Sequence, residues 1–348
     1  MVDNSKNMSK NNISDKIRDW LLASQTKSLL EVNERIDQLH QLLAGIDNKV
    51  DLTNRNDAYF YNQLSEQMNN RGVISTGNTE VLVKLFNGLK IYLDTRDLAV
   101  ATHIAMDGIW EPTITKAWIS TIRPNYTIFD IGANFGYFGL LAAHKTDKKN
   151  SKIVFIEANP NLIPYIHKTI DLNWYNEQSL VENFAASDRS GTIKLNILKN
   201  YIGSSSVQTV EELEGYMHHK MRLQLSNSLS VKAMSIDEYC KKHDIKNIDL
   251  IKMDIEGYEE TAYAGMREMV AASPDLTLFI EFTKDGYNNP KEFYEKMLND
   301  FGNVYLIDNL GRFVVPKNSG YEYVIGDADN WVMPVFSKNK SLYKLTKD

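Results

Sequence analysis

Between residues 127 and 282 short apolar runs alternate with segments of helical character, and this alternation constrains the fold more than any other feature of the chain. TIFDIG (127–132), KIVFIE (152–157), SLVENFA (179–185), IDLIKMDIE (248–256) and LTLFIEF (276–282) read as strands. The residues after Phe138, residues 161–173 and residues 259–272 read as helices. Strands that alternate with helices build a parallel sheet wound on both sides, and near-continuous apolar strands fit a sheet buried on both faces. An insertion interrupts the alternation between residues 191 and 240. Upstream, EVLVKLF and LKIYLD are β-rich, and residues 97–106 and 110–122 are helical in character. Downstream, NVYLID, RFVVP and WVMPVF suit antiparallel strands at the sheet edge.

The first seventy residues have a different texture, with no Pro and one Gly, Gly45. Leu22, Leu29, Ile36, Leu43 and Val50 recur every seven residues, and Val32, Leu39 and Ile46 fill the second apolar position between them. A 3-4 spacing sustained for about four heptads predicts a coiled coil, against the alternative of an amphipathic helix lying on its own domain. Residues 22–50 are thus expected to drive homo-oligomerisation. The expected division is a coiled-coil arm and linker over 1–71 and one α/β domain over 72–348. Within that domain the core spans 126–283 and the C-terminal strands 284–348.

Composition narrows the function. Of 348 residues, 43% are hydrophobic and 24% charged, which suits a globular chain with a large core. The balance of 39 basic against 45 acidic residues argues against a nucleic-acid binder that relies on clustered Lys and Arg. A single cysteine, Cys240, excludes an intrachain disulfide framework and a Cys-rich zinc module. No apolar run is long enough to span a bilayer, and the opening MVDNSKNMSKNNISDK lacks the apolar segment of a signal peptide. A cytoplasmic protein is expected, and the abundance of Asn and Lys suggests a bacterial source.

The most informative motif is Asp130-Ile-Gly132-Ala133-Asn134-Phe-Gly136-Tyr-Phe138-Gly139, which follows an apolar strand and opens a helix. Glycines allow close backbone approach to a ligand, and a helix N-terminus offers free N–H groups. The dinucleotide pattern GxGxxG is broken at Asn134. Asp130 beside the glycines disfavours a pyrophosphate and suits a cofactor whose tail carries an ammonium, such as S-adenosylmethionine. Glu157 ends the second strand, where a carboxylate can bind ribose hydroxyls. Ala185 and Ala186, on the next, leave room for an adenine ring.

A second motif is Lys252-Met-Asp254-Ile-Glu256-Gly257-Tyr-Glu259. Strand alternation points Lys252, Asp254 and Glu256 the same way, at the strand end where ligands of open α/β sheets bind. Glu281, at the end of the following strand, faces the same crevice. A structural ion pair with a helix cap is the competing reading.

Together these motifs resemble those of the FkbM family of S-adenosylmethionine-dependent methyltransferases. The resemblance runs from about Val73 to Lys338. It rests on GIWEP (108–112), FDIGANFGYF (129–138), FIEANP (155–160), NFAASDRSG (183–191), GSSSV (203–207), MSIDEYC (234–240), IDLIKMDIEGYE (248–259) and LFIEF (278–282). It implies the Rossmann-like doubly wound sheet of a class I methyltransferase and O-methylation of a sugar hydroxyl in a glycan, glycolipid or glycosylated metabolite. It also implies that Asp130, Gly132, Asn134, Gly136 and Glu157 hold the cofactor, with Ala133 and Phe138 in the same loop. Phe135 stands where a smaller aliphatic residue is common.

Asp254 is the first candidate for the base or acceptor-positioning group, followed by Glu256 and Glu281. The same carboxylates could instead gather Mg2+. Glu111 either contacts the cofactor tail or substrate, or caps the helix opened by Pro112. Ser204 and Ser205 either bind acceptor hydroxyls or form a turn. His103 is expected to pack or lie on a helix surface. The rival enzyme class is a short-chain dehydrogenase using a Tyr-xxx-Lys pair, either Tyr216 and Lys220 or Tyr287 and Lys291. A non-catalytic coiled-coil scaffold is the third alternative.

Overall fold

The computed structural model of the chain describes residues 72–208, 225–326 and 332–346. The heptad segment 22–50 lies outside the described residues, as do Tyr216, His218, His219 and Lys220.

The described chain opens with an antiparallel sheet of β1 (Val73–Ser75), β2 (Glu80–Lys84) and β3 (Lys90–Asp94). Val81 and Val83, and Ile91 and Leu93, turn to the buried side at the period of two that a half-buried strand requires. Two helices follow, α1 (Val100–Asp107) and α2 (Pro112–Thr121). Proline suits the first turn of α2 because its missing N–H has no helical partner there. Fully buried Trp118 locks α2 onto the core. Its indole N–H donates to the Phe138 carbonyl at 3.1 Å, and its ring meets Phe279 edge-on at 5.3 Å.

The predicted alternation then appears as β4 (Thr127–Ile131), α3 (Tyr137–Lys145), β5 (Lys152–Ile156), α4 (Ile163–Asn173) and β6 (Ser179–Glu182). The first sheet docks on α4, where the Tyr92 N–H donates to Thr169 Oγ1 and the Lys90 N–H to Asn173 Oδ1. The insertion is a second sheet made of β7 (Ala185–Ala186), β8 (Gly191–Leu198), β9 (Tyr201–Ser206) and β10 (Leu225–Met234). After it come α5 (Ile236–Lys242), β11 (Leu250–Met253), α6 (Glu259–Ala264), α7 (Arg267–Ala272), β12 (Thr277–Ile280) and α8 (Pro290–Phe301). The C-terminal stretch adds β13 (Asn303–Ile307), β14 (Phe313–Val314), α9 (Tyr321–Val324) and β15 (Val335–Ser337).

The main sheet has eight strands in the order β14-β13-β15-β12-β11-β4-β5-β6. The five from β12 to β6 are parallel, and β15, β13 and β14 extend the edge antiparallel, as their sequences suggested. The fold is therefore α/β with a large, mostly parallel sheet. Phe129, Ile131, Val154, Ile156, Ile251, Met253, Leu278 and Ile280 are buried in one core, and the intervening Ile128, Ile153, Phe155, Leu250 and Phe279 are buried as well, which explains why these strands are near-continuously apolar. Winding goes outward from β4 through β5 to β6, then restarts on the other side of β4 with β11. The crevice beyond the ends of β4 and β11 is thus the topological switch point. Among the described residues no helix is long and apolar enough to cross a membrane.

Three predicted elements differ. SLVENFA is not one strand: β6 stops at Glu182, and Ala185–Ala186 pairs with Ala233 and Met234 of β10 in the other sheet. Asn183 makes the break, its amide donating to the Glu157 carbonyl at 2.8 Å and drawing the chain over the end of β5. Residues 259–272 form two helices instead of one. The chain turns at Gly265, where a Cβ would lie 1.9 Å from the Ser187 carbonyl oxygen. The strand of IDLIKMDIE ends at Met253, so Asp254 and Glu256 sit on the loop after it.

Candidate active site

A cavity of about 430 Å3 opens at the switch point, within the size range of small-molecule sites. Its walls come from the Asp130–Gly139 loop, the ends of β5 and β11, the β6–β7 link, β9, and the turn before α2.

The loop after β4 is built around the chain's own backbone. Gly132 has φ +79°, and a Cβ there would lie 1.9 Å from the Asp254 carbonyl oxygen. Glycine is needed at 132 so that the β4 and β11 loops can cross, in addition to whatever ligand approaches them. The Gly132 and Ala133 N–H groups both donate to the Ile156 carbonyl, and the Asp254 N–H to Ile131. The strand ends are thereby stapled into one rim.

Asp130 corrects an expectation. Its carboxylate does not line the cavity; Oδ2 accepts the Gly139 N–H at 2.7 Å, and the residue is 1% exposed. It closes the loop onto the first turn of α3, where a helix leaves N–H groups unpaired. Burial pushes its carboxyl up to about 6, against the opposing pull of Lys252.

Glu157 does face the cavity. Oε2 accepts the Asn134 N–H at 2.8 Å and Oε1 the Asn159 N–H at 2.7 Å. Burial still raises its pKa to about 7. Asn134 sits at φ +55° with its amide donating to the Gly203 carbonyl, while its Oδ1 is buried without a partner. Ala133, Phe138, Ala185 and Ala186 also line the walls, next to Phe184. Phe135 lines the cavity and packs edge-on against the Tyr165 ring at 5.6 Å.

On the opposite wall, Lys252 donates to Asp254 Oδ2 at 2.7 Å and stands 4.5 Å above the Phe138 ring. Burial alone would favour the neutral amine. The charges of Asp254, Glu111 and Asp130 outweigh it and hold the lysine pKa above its usual range. Glu256 is brought to the site by a loop at φ +56°, not by strand alternation. Burial and then the Asp254 charge push its carboxyl up to about 8, against a hydrogen bond from Ser204. Glu281 is raised well above the normal range, first by burial and then by the charges of Asp254, Glu256 and Glu259.

Glu111 lines the cavity and makes no cap. It occupies the N-cap position of α2, but its side chain accepts no helix N–H. Ser205 is tied into the scaffold, donating to the Ile202 carbonyl at 2.7 Å and accepting from Asn159 Nδ2 at 3.0 Å. Both serines lie on strand β9, not in a turn. His103 lies 2.8 Å from the Ala99 carbonyl and edge-on to Trp110, a packing role. Cys240 is fully buried, and burial raises its thiol pKa, which leaves it unreactive.

Two buried acids escaped the sequence reading. Asp97 accepts N–H groups from Ala99, Ala101 and Gly203, coupling the start of α1 to β9. An acid just before a helix was a usable signal for half of this role. Glu259 accepts the Ile255 N–H at 2.8 Å and the Tyr287 hydroxyl at 2.9 Å, fixing the loop that carries Asp254 and Glu256. Nothing in its local sequence distinguishes it from a surface acid in the first turn of a helix.

The described residues bear on two alternatives, the Tyr216 and Lys220 pair lying outside them. Among the described residues no group of three His, Cys, Asp or Glu side chains is disposed to hold a metal ion. Tyr287 is committed to Glu259 and the Glu281 carbonyl, while exposed Lys291 faces Glu322 at 3.8 Å. They do not form a dehydrogenase pair.

Residues 130–314, more than half of the 348, match the Methyltransferase FkbM domain. No curated protein matches the chain in sequence. Among solved structures it is similar to the methyltransferase FkbM from Methylobacillus flagellatus KT, with 13% identity, a TM-score of 0.35, and coverage of 68% of this chain and 52% of that one. It is similar to Trm5b from Pyrococcus abyssi at 13% identity and TM-score 0.38, covering 77% and 63%. It is also similar to TYW2 from Pyrococcus horikoshii in complex with MeSAdo at 12% identity and TM-score 0.37, covering 76% and 74%. The chain thus spans about half the length of the first of these.

Proposed function

This chain belongs to the FkbM family of methyltransferases, and from that premise we propose that it is an S-adenosylmethionine-dependent O-methyltransferase acting on a sugar hydroxyl of a glycan, glycolipid or glycosylated metabolite. The observation that carries the cofactor reading is the concentration of carboxyl groups in the cavity. Glu111, Glu157, Asp254, Glu256 and Glu281 line it against one cation, Lys252, among the described lining residues. Such a wall suits a sulfonium guest and disfavours a pyrophosphate. The partnerless buried oxygens of Asn134 and Glu111 are further points where a polar ligand fits.

S-adenosylmethionine, when bound, supplies an electrophilic methyl on sulfur and leaves as the thioether. The chain's own groups then have separable roles. Glu157 keeps lone pairs free beyond its two backbone partners, enough to accept both ribose hydroxyls. Ala185 and Ala186 leave a slot for adenine beside Phe184. Gly132, Ala133 and Asn134 form the floor; Gly136, expected there too, does not line the cavity but stands at the N-cap of α3 against Ile166 and Phe155, and Asp130 holds the floor in shape from behind. Asp254, oriented by Lys252, receives the acceptor hydroxyl and takes its proton as the new C–O bond forms; a well-placed base contributes about 10²–10⁴-fold. Glu256 and Glu281 stand next to it, and Ser204 and Ser205 lie on the acceptor side. Hydroxyl-rich sugars match this concentration of carboxylates and serines.

The test is a labelled-methyl transfer screen against nucleotide sugars and glycan oligosaccharides, with thermal shift alongside. S-adenosylmethionine at a hundred times its Kd stabilises the fold by about 2.7 kcal/mol. A shift with NADH and none with S-adenosylmethionine overturns the reading. The heptads of residues 22–50 support a homo-oligomer formed through the 1–71 arm, with 72–348 as the methyltransferase domain. Removing residues 1–60 then lowers the number of copies per particle seen by light scattering, and an unchanged number overturns it.

A further inference from the structure

We propose that Glu111 is the residue that grips the ammonium of the cofactor's amino-acid tail, the part expected of Asp130. The assignment rests on the S-adenosylmethionine reading above. Four observations about Glu111 and its surroundings converge on it.

First, Asp130 is not available. Its Oδ2 is occupied by the Gly139 N–H, and it does not reach the cavity wall. Second, Glu111 is held in an unfavourable backbone conformation, φ +43° and ψ +70°, which costs a non-glycine residue about 1–3 kcal/mol. The surroundings enforce it. The Glu111 carbonyl accepts the Thr115 N–H at 2.8 Å, Thr115 Oγ1 donates to the Trp110 carbonyl, and Pro112 starts the helix directly after. A cap does not explain that strain, because the side chain caps nothing.

Third, Oε2 of Glu111 is buried with no hydrogen-bond partner. A buried oxygen left unmatched is a standing cost unless a ligand supplies the donor. Lys252 does not supply it, being committed to Asp254 at 2.7 Å. Fourth, two charges of the same wall act on Glu111: Lys252, the stronger, favours its ionisation and Asp254 opposes it, while burial raises its pKa most. An ammonium adds a counter-charge that a neutral sugar hydroxyl does not. Burial and Asp254 together outweigh the help of Lys252 and lift the Glu111 carboxyl to about 7, so a cationic guest has a carboxylate to ionise.

The experiment compares S-adenosylhomocysteine with 5′-methylthioadenosine, which keeps the adenosine and the thioether but lacks the amino-acid tail. Affinities are measured by calorimetry on the full chain, for the wild type, Glu111→Gln and Asp130→Asn. Glu111→Gln is expected to weaken S-adenosylhomocysteine by about 10- to 100-fold, as loss of a charged hydrogen bond does, and to leave 5′-methylthioadenosine within about twofold. Asp130→Asn is expected to weaken both ligands in parallel, because it loosens the loop. Equal loss of both ligands in Glu111→Gln, or no loss of either with a raised KM for the acceptor, overturns the assignment. Glu111→Asp, which keeps the charge and shortens the reach, shows whether any loss comes from misfolding, since only a folded variant retains 5′-methylthioadenosine binding. If the wild type binds neither adenosine ligand, the cofactor reading itself fails and takes the assignment with it. If it binds 5′-methylthioadenosine but Glu111→Gln does not distinguish the two ligands, only the assignment fails.

Discussion

Lys252 and Asp254 face each other across the end of β11, Nζ to Oδ2 at 2.7 Å, with the lysine 3% exposed and its ammonium resting on the Phe138 ring. The pair joins the last residues of one central strand to the helix that follows its neighbour. Its two members do different work, and substitutions separate them. Lys252→Met leaves Asp254 beside Glu256 and Glu281 with no counter-charge; because Asp254 is 26% exposed, the loss is expected to fall below the about 3–5 kcal/mol of a fully buried pair. Denaturant unfolding is expected to show that loss.

Asp254→Ala is expected to leave cofactor affinity nearly intact, because Asp130 and Glu111 still balance Lys252. Turnover should fall by about 10²–10⁴-fold. Retention of most activity in a methyl-transfer assay would remove Asp254 from the chemistry and shift attention to Glu256.

Gly132→Ala tests the crossing of the two loops. The left-handed backbone alone costs an alanine about 1–3 kcal/mol, and its Cβ would also collide with the Asp254 carbonyl oxygen, a backbone atom that cannot swing aside. The expected result is a marked fall in Tm together with loss of S-adenosylmethionine binding. A variant that melts like the wild type would contradict the stapled rim described above.

Glu157→Ala removes the acceptor for two backbone N–H groups, those of Asn134 and Asn159, as well as the ribose contact. Adenosine itself is expected to bind at least about tenfold more weakly, since each hydrogen bond to a charged group is worth about 1.5–3 kcal/mol. Glu157→Gln keeps one acceptor oxygen and should fall between the two. The measurement is adenosine affinity by calorimetry, and unchanged affinity in the alanine variant would dissociate Glu157 from the ribose.

Stability of the ligand-free protein is expected to decline as pH rises from about 5 to 8. Glu111, Glu157 and Glu259 are raised from 4.5 to about 7, and Glu256 to about 8, in each case chiefly by burial. Below 4.5 the folded and unfolded chains both hold these protons. Between 4.5 and 8 the unfolded chain has released them while the folded chain keeps them, so stability falls as pH rises. His144, lowered by burial, acts in the opposite sense but is a single group. A cationic ligand favours the carboxylates, so saturating S-adenosylmethionine should flatten the Tm-against-pH curve and release protons near pH 7. Calorimetry in buffers of different ionisation enthalpy reads that release directly.

The sequence by itself determined the parallel core, because strands buried on both faces must be apolar along nearly their whole length, and Ile128–Phe129, Ile153–Ile156 and Leu278–Ile280 are. It also marked the ends of those strands, since Asp130, Glu157, Asp254 and Glu281 are the first acids after or within such runs. Tertiary structure decided which way each acid turns. Asp130 was drawn inward by the Gly139 N–H, a contact nine residues away that exists only once α3 has formed. Glu256 reached the cavity through a left-handed loop held by Glu259, a constraint that no period of two or 3.6 encodes. Between the cap and the ligand contact that the sequence left open for Glu111, tertiary structure decided for the cavity wall, where its side chain caps no helix N–H. Periodicity reports which residues leave water. Which charge meets which partner depends on chain crossings, and those are set by backbone contacts between segments far apart in sequence.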